Sequence, residues 1–287
     1  KQIKPKAVIV VSDSRFCELA LAALAKTNQV QSLLVSPNTI LALDQLNSYN
    51  TTDKVALTGD FVKNQLLKIR VPEKKLTVVG DLQRQNKPKF TKKQVYRMLG
   101  VDKLDKKIVL LISFGPSQMI PKPEKEAFFQ LASRAVAVSK NTVLVIKPHP
   151  SEKRHRIIEE LKQWGITNAV VTDNNQLELV ELLNASSVVL QTWSMTVFEA
   201  IMMNRPVISV NPFKKDYGFF LPIIKDGGAV TVTSQRDLTK WLAILTDPLH
   251  SQTKQQLQLA RQACSKFITV QGGQAVDKIL SLLAKGH

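Results

Sequence analysis

The sequence predicts an α/β protein whose parallel sheets carry helices on both faces. Ten short runs rich in Val, Ile and Leu punctuate the chain. Most are continuously apolar rather than alternating, so both faces of each strand are buried. Between most of them lie stretches with apolar residues at helical period, the βαβ rhythm of a parallel sheet.

In order, the strand runs are Ala7–Val11, Ser32–Val35, Lys54–Leu57, Leu76–Val79, Ile108–Ile112, Thr142–Ile146, Ala169–Val171, Ser187–Leu190, Pro206–Val210 and Ala229–Val232. Helical periodicity marks Glu18–Lys26, Phe61–Ile69, Glu124–Ser139, His155–Trp164, Leu177–Asn184, Thr196–Met203 and Leu238–Thr246. Two further helices, Gln256–Phe267 and Ala275–Leu283, are parted by Gly272-Gly273, a stop and restart. The polar, basic stretch from Gln83 to Lys93 holds Pro88 and breaks the rhythm, as a linker does.

The 287 residues suit one large or two modest domains. With 44% hydrophobic and 22% charged residues the composition is that of a folded domain rather than a disordered one. No run reaches the roughly 18 apolar residues of a membrane span, and Lys1–Lys6 leads into a strand with no signal-peptide pattern. Cys17 and Cys264 lie far apart in helical contexts, which reads as two buried thiols in a reducing compartment. Forty Lys+Arg against 23 Asp+Glu give a net charge of +17, attractive to phosphorylated substrates or an anionic membrane surface. The basic stretch 81–107 has no RNP, zinc-knuckle or helix-turn-helix pattern, which argues against nucleic acid.

Ligands of open α/β sheets sit beyond the carboxyl ends of the strands. Two of those ends are suited to phosphate. At Lys147-Pro148-His149-Pro150 the two prolines fix φ and bias Lys147 and His149 toward extended backbone. A stiffly held imidazole beside an ammonium can stabilise a departing phosphate. At Gln191-Thr192-Trp193-Ser194-Met195-Thr196 a buried strand passes into a helix, where Thr192 or Ser194 can cap and the first-turn N–H groups can face the cleft. Glu199, in a helix with Val197, Phe198, Ala200 and Ile201, can accept ribose hydroxyls or pair with Arg205. P-loop, G-x-G-x-x-G and G-x-S-x-G patterns are absent, and His149, His155, His250 and His287 lack metal-ligand spacing.

The K-P-H-P strand end, the Ser/Thr-rich helix start followed by Glu199-Ala200, and "NRPVISVNP" together resemble the nucleotide-binding half of GT-B glycosyltransferases. The nearest types are capsule-polysaccharide, polysialic-acid and CDP-glycerol glycerophosphotransferase enzymes. "TTDKVALTGDFVKNQLLKIRVPEKKLTVVGD" resembles the crossing between their domains, and "ITVQGGQAVDKILSLL" their closing helix pair.

The resemblance implies a GT-B-like fold with an incomplete N-terminal domain. Residues 1–81 would be a partial acceptor-side domain, and 82–106 a basic linker and first helix of the second domain. Residues 107–268 would bind the donor, and 269–287 form a helix packing back on the N-terminal part. It implies a metal-independent transferase without a cofactor, using a CMP-, CDP- or UDP-linked donor and a glycan or lipid-linked acceptor at the inner membrane face. Lys147, His149, Thr192, Ser194, Thr196 and Glu199 would hold the donor, with Gly115 and Ser117 on a loop approaching it; Asp13, by its place at the end of the first strand, is the candidate general base.

Two alternatives accompany this reading. One is a non-catalytic nucleotide-binding or docking fragment. The other is a nucleotide-sugar 2-epimerase on the same fold, although Gln191–Ala200 lacks that group's D-S-G-G…E-E-A segment; Gln191 also stands where the glycosyltransferase types often have aspartate before the Ser/Thr motif.

Overall fold

The computed structural model describes residues 4–12, 16–36, 39, 49, 51–81, 87–101, 106–115, 121–139, 141–216, 221–269 and 273–284. Asp13 and Ser117, expected above as general base and donor-loop residue, lie outside them. The chain divides into two compact units, Lys1–Asn86 with Ser265–His287, and Lys87–Cys264. Among the described residues there are ten strands and ten α-helices. No helix among them is long and apolar enough to cross a membrane.

The first unit is a four-stranded parallel sheet of β1 (Ala7–Val10), β2 (Gln31–Val35), β3 (Lys54–Leu57) and β4 (Leu76–Val78), side by side in that order. Its helices are α1 (Phe16–Thr27), α2 (Asp60–Lys68) and, from the end of the chain, α10 (Gly273–Ala284). Successive strand residues point to opposite faces, and both faces are covered here. Leu34, Val55 and Leu57 pack with Val62 and Leu66 of α2. Leu33 and Ala56 pack with Ile279 of α10. That two-sided burial is why these strands read as unbroken apolar runs.

The close of the chain is also pinned by polar contacts. Gln31 Nε2 and Lys54 Nζ donate to the carbonyl of Leu282 at 3.2 and 3.0 Å. Phe61 N donates to Lys266 O at 3.0 Å. Gly59 has no alternative in this packing, since a Cβ there would stand 2.0 Å from the Phe267 carbonyl oxygen. Cys17 is exposed and only Cys264 is buried, correcting the expectation of two core thiols: Cys17 sits on the outward side of α1, beside Phe16, which is 85% exposed.

The second unit opens with α3 (Lys92–Met98), started by a capping box in which Thr91 and Gln94 satisfy each other's backbone N–H groups. Six parallel strands follow: β5 (Lys107–Ile112), β6 (Thr142–Lys147), β7 (Ala169–Val171), β8 (Ser186–Gln191), β9 (Val207–Val210) and β10 (Val230–Val232). They lie in the order β10-β9-β8-β5-β6-β7. The helices between and after them are α4 (Lys122–Val138), α5 (Arg154–Gln163), α6 (Leu179–Ala185), α7 (Thr196–Met202), α8 (Gln235–Leu245) and α9 (Ser251–Ser265). Phe128 and Phe129 of α4, Ile157 of α5 and Leu238 and Leu242 of α8 form one core with Val109, Leu111, Leu144 and Val188.

The order has a functional consequence. The chain builds outward from β5 through β6 to β7, then returns to the other side of β5 and builds outward again through β8 to β10. The reversal falls between β5 and β8, and the crevice outside the carboxyl ends of strands at such a switch point is where open α/β sheets take ligands.

Candidate functional site

Two adjoining cavities lie at that switch point, both within the second unit. One, about 540 Å³, is lined by residues including Ser113, Lys147, His149, Asn174, Glu178, Ser194, Thr196 and Glu199. The other, about 360 Å³, includes Phe114, Gly115, Ser151, Thr192 and Trp193. They share Ile112, Ser113, His149, Ser194 and Met195. The structure thus brings Lys147, His149, Ser194, Thr196 and Glu199 to one cavity, with Gly115 and Thr192 on its neighbour.

Lys147 ends β6, inside a sheet, and burial pushes its ammonium below the usual lysine range. Its Nζ donates to Asn174 Oδ1 at 2.6 Å. A neutral amide is a weak counterweight to a partly desolvated charge, so an anion entering the cavity finds a cation ready to pair. Asn174 is itself set by the turn after β7, where Asn175 N donates to Asp173 Oδ1 at 2.9 Å.

His149 follows two residues later on an exposed turn. Its backbone N donates to Glu152 Oε2 at 2.8 Å. Ser151 N donates to His149 Nδ1 at 3.2 Å, and Ser151 Oγ lies 2.7 Å from the same nitrogen. A backbone N–H can only donate, so Nδ1 is the acceptor and the hydrogen of the neutral ring sits on Nε2. The ring is thereby set to donate from Nε2. Glu152 is held in turn by Lys125, whose Nζ donates to Glu152 Oε1 at 2.7 Å and Glu160 Oε2 at 2.6 Å.

The β8–α7 turn is wound by its own side chains. Gln191, fully buried, accepts from Ser194 N through Oε1. Ser194 Oγ accepts from Thr196 N at 3.2 Å and donates to Thr196 Oγ1 at 3.0 Å. Val197 N and Phe198 N donate to Ser194 O and Met195 O. This differs from the expectation that first-turn N–H groups face the cleft: those of Ser194, Thr196, Val197 and Phe198 already have acceptors. What the turn offers a ligand is chiefly the hydroxyls of Ser194 and Thr196, on a helix of only seven residues. Thr192 is buried, and its carbonyl accepts from Ser209 Oγ at 2.6 Å, so it fastens β8 to β9.

Ser113, Ser151, Asn174 and Glu178 are site residues that sequence reasoning did not single out. Ser113 is 2% exposed, and its Oγ has no hydrogen-bond partner among the described residues, although it lines both cavities. Its position at the end of β5 was the available signal. For Asn174 the signal was its place directly after Thr172-Asp173 at the end of β7. Among the described residues no group of three or more His, Cys, Asp or Glu is placed to hold a metal ion.

The sequence matches the UDP-N-acetylglucosamine 2-epimerase family over residues 52–214, more than half of the chain. No curated protein matches it. Among solved structures, one from Listeria monocytogenes assigned as a UDP-N-acetylglucosamine 2-epimerase superposes with a TM-score of 0.71 at 17% identity, covering 98% of this chain and 74% of that one. The Methanocaldococcus jannaschii UDP-N-acetylglucosamine 2-epimerase gives 0.64 at 14% identity, covering 98% and 77%. The S. aureus protein MnaA, solved with UDP, gives 0.62 at 18% identity, covering 96% and 74%.

These likenesses establish the GT-B-like fold. The family match corrects the glycosyltransferase expectation and lends no support to the capsule-polysaccharide and polysialyltransferase types. The error has a physical source. Gln191–Ala200 lacks the D-S-G-G…E-E-A segment, yet Gln191 supplies an acceptor to Ser194 N, so the turn is wound although the motif letters differ. The chain belongs to the UDP-N-acetylglucosamine 2-epimerase family.

Proposed function

We propose that the cavities at the β5–β8 switch point bind a uridine-diphosphate sugar and that the protein inverts the configuration at C2 of that sugar. The observation that carries this is the convergence of Lys147, His149, Ser194, Thr196 and Glu199 on one cavity in a chain of this family. The S. aureus protein was solved with UDP and an Anabaena protein of the same fold with UDP-glucose, which favours uridine over the cytidine donors first considered.

C2 of a nucleotide sugar neighbours no carbonyl, so its proton is hard to remove unless negative charge can leave elsewhere. Breaking the bond between C1 and the diphosphate oxygen does this. The C2–H electron pair becomes the C1–C2 double bond, and the C1–O pair departs on UDP. Addition of UDP back to C1, with a proton delivered to the opposite face of C2, gives the epimer. The sequence is redox-neutral and atoms balance. Its demand on the protein is to stabilise the diphosphate while it is detached. In this reading Lys147, the Nε2–H of His149 and the hydroxyls of Ser194 and Thr196 receive the phosphate oxygens, a preorganised arrangement, and Glu199 accepts the ribose hydroxyls.

The test is incubation with UDP-N-acetylglucosamine and NMR detection of the C2 epimer, alongside calorimetry against UDP, CDP, CMP and GDP. UDP binding with epimer formation supports the proposal. Preference for a cytidine nucleotide, or UDP binding with no exchange of the C2 hydrogen into deuterated solvent, overturns it.

A further inference from the structure

A third cavity, about 350 Å³, adjoins these two and shares Phe114, Gly115 and Ser151 with one of them. It is lined further by Pro121, Lys122, Lys125, Glu152, Lys153, Arg156, Ile157 and Glu160. Four of these are cations and two are carboxylates. Both carboxylates are engaged by a single ammonium, that of Lys125, at 2.7 and 2.6 Å. Its side chain is 11% exposed and lies 5.6 Å from the centre of the Phe129 ring. Lys122, Lys153 and Arg156 are exposed and make no ion pair among the described residues. The wall therefore keeps an excess of positive charge on its accessible side chains. The buried Ile157, at 1% exposure, and Phe114 supply apolar surface between them.

We propose that this cavity is a second ligand site, for a small organic anion. A phosphate or carboxylate head would lie against Lys122, Lys153 and Arg156, and an apolar or ring portion against Phe114 and Ile157. The volume falls in the range of small-molecule pockets, roughly 300–1,000 Å³. It far exceeds the ~30 Å³ that one water occupies in the liquid, so a lone inorganic ion would leave most of it filled with solvent. Arginine favours such heads because its planar fork meets two oxygens at once. The assignment does not depend on the epimerase reading.

The experiment is calorimetric titration with phenyl phosphate, which carries an anionic head on a ring, of the full chain held in saturating UDP so that the nucleotide cavities are already filled. Binding should weaken at least about tenfold in Lys122→Glu/Arg156→Glu and be unchanged in Ser194→Ala, which alters only the nucleotide cavities. The neutralising pair Lys153→Gln/Arg156→Gln, a milder surface change, should weaken it in the same direction. The proposal is overturned if wild-type protein does not bind. It is overturned equally if inorganic phosphate binds as tightly as phenyl phosphate, or if binding is lost in Ser194→Ala and kept in both charge variants.

Discussion

A Cβ placed on Gly115 would stand 2.9 Å from Nδ1 of His149, and 2.3 Å from the Ser151 hydroxyl bonded to that same ring. The loop after β5 therefore closes on the histidine only because residue 115 has no side chain. Gly115→Ala should push the imidazole or Ser151 aside and weaken UDP binding about tenfold, with little change in thermal unfolding. Calorimetry and a melting curve check both halves. An unaltered affinity would remove the contact from the binding site.

The second prediction concerns Lys147. Burial holds its folded-state pKa below the ordinary 10.5. Between the depressed value and 10.5 the unfolded chain binds more protons than the folded one, so this group makes stability rise with pH through that window and adds no further slope above it. Lys147→Met removes the contribution, and wild-type minus variant stability, from denaturant titrations at several pH values, should climb across the window. A diphosphate in the cavity favours the charged ammonium. UDP binding should therefore take up protons in the same interval, seen as a binding heat that varies with the ionisation enthalpy of the buffer.

Glu152 joins two arrangements, accepting from His149 N at 2.8 Å and from Lys125 Nζ at 2.7 Å. Its side chain is only 6% exposed. Glu152→Ala frees the His149 N–H to solvent and leaves Lys125 with Glu160 as its one carboxylate partner, and should cost about 1 kcal/mol of stability. Glu152→Gln keeps an acceptor for the backbone and should cost less while still lowering nucleotide affinity. Denaturation midpoints for the pair give the order; a larger loss in Gln than in Ala contradicts it.

Gln191→Leu tests the turn. The substitution preserves bulk in a fully buried place but removes the acceptor for Ser194 N. Both stability, by about 1–3 kcal/mol, and UDP binding should fall, because the Ser194 and Thr196 hydroxyls are aimed by that turn. Gln191→Glu, which keeps an acceptor, should retain more of each.

Much of the fold was legible because burial on two faces leaves a direct trace: Leu33 and Leu34 are neighbours in sequence and serve opposite cores. The boundaries of α3 were harder to see, because only Val95 is buried in Lys92–Met98 and no apolar period shows. At the site, Lys147 and His149 stood out through the prolines that stiffen them. Ser113 and Asn174 did not, since their importance comes from the strand order and from the 2.6 Å approach of a side chain on a neighbouring strand. The family was misread for a related reason. The letters of Gln191–Ala200 depart from D-S-G-G…E-E-A, whereas the turn is held by an oxygen in reach of Ser194 N, and glutamine provides one.

The seam between β5 and β8 lies mid-sheet, while β7 and β10 are its outer borders. A tag, label or surface anchor is accordingly best grafted at the amino-terminal approach to a border strand. The exposed Gly165 ahead of β7 is such a place, at the opposite end of the sheet from Lys147 and Ser194. Immobilising the molecule there would keep the attachment away from the carboxyl ends of β5 and β8.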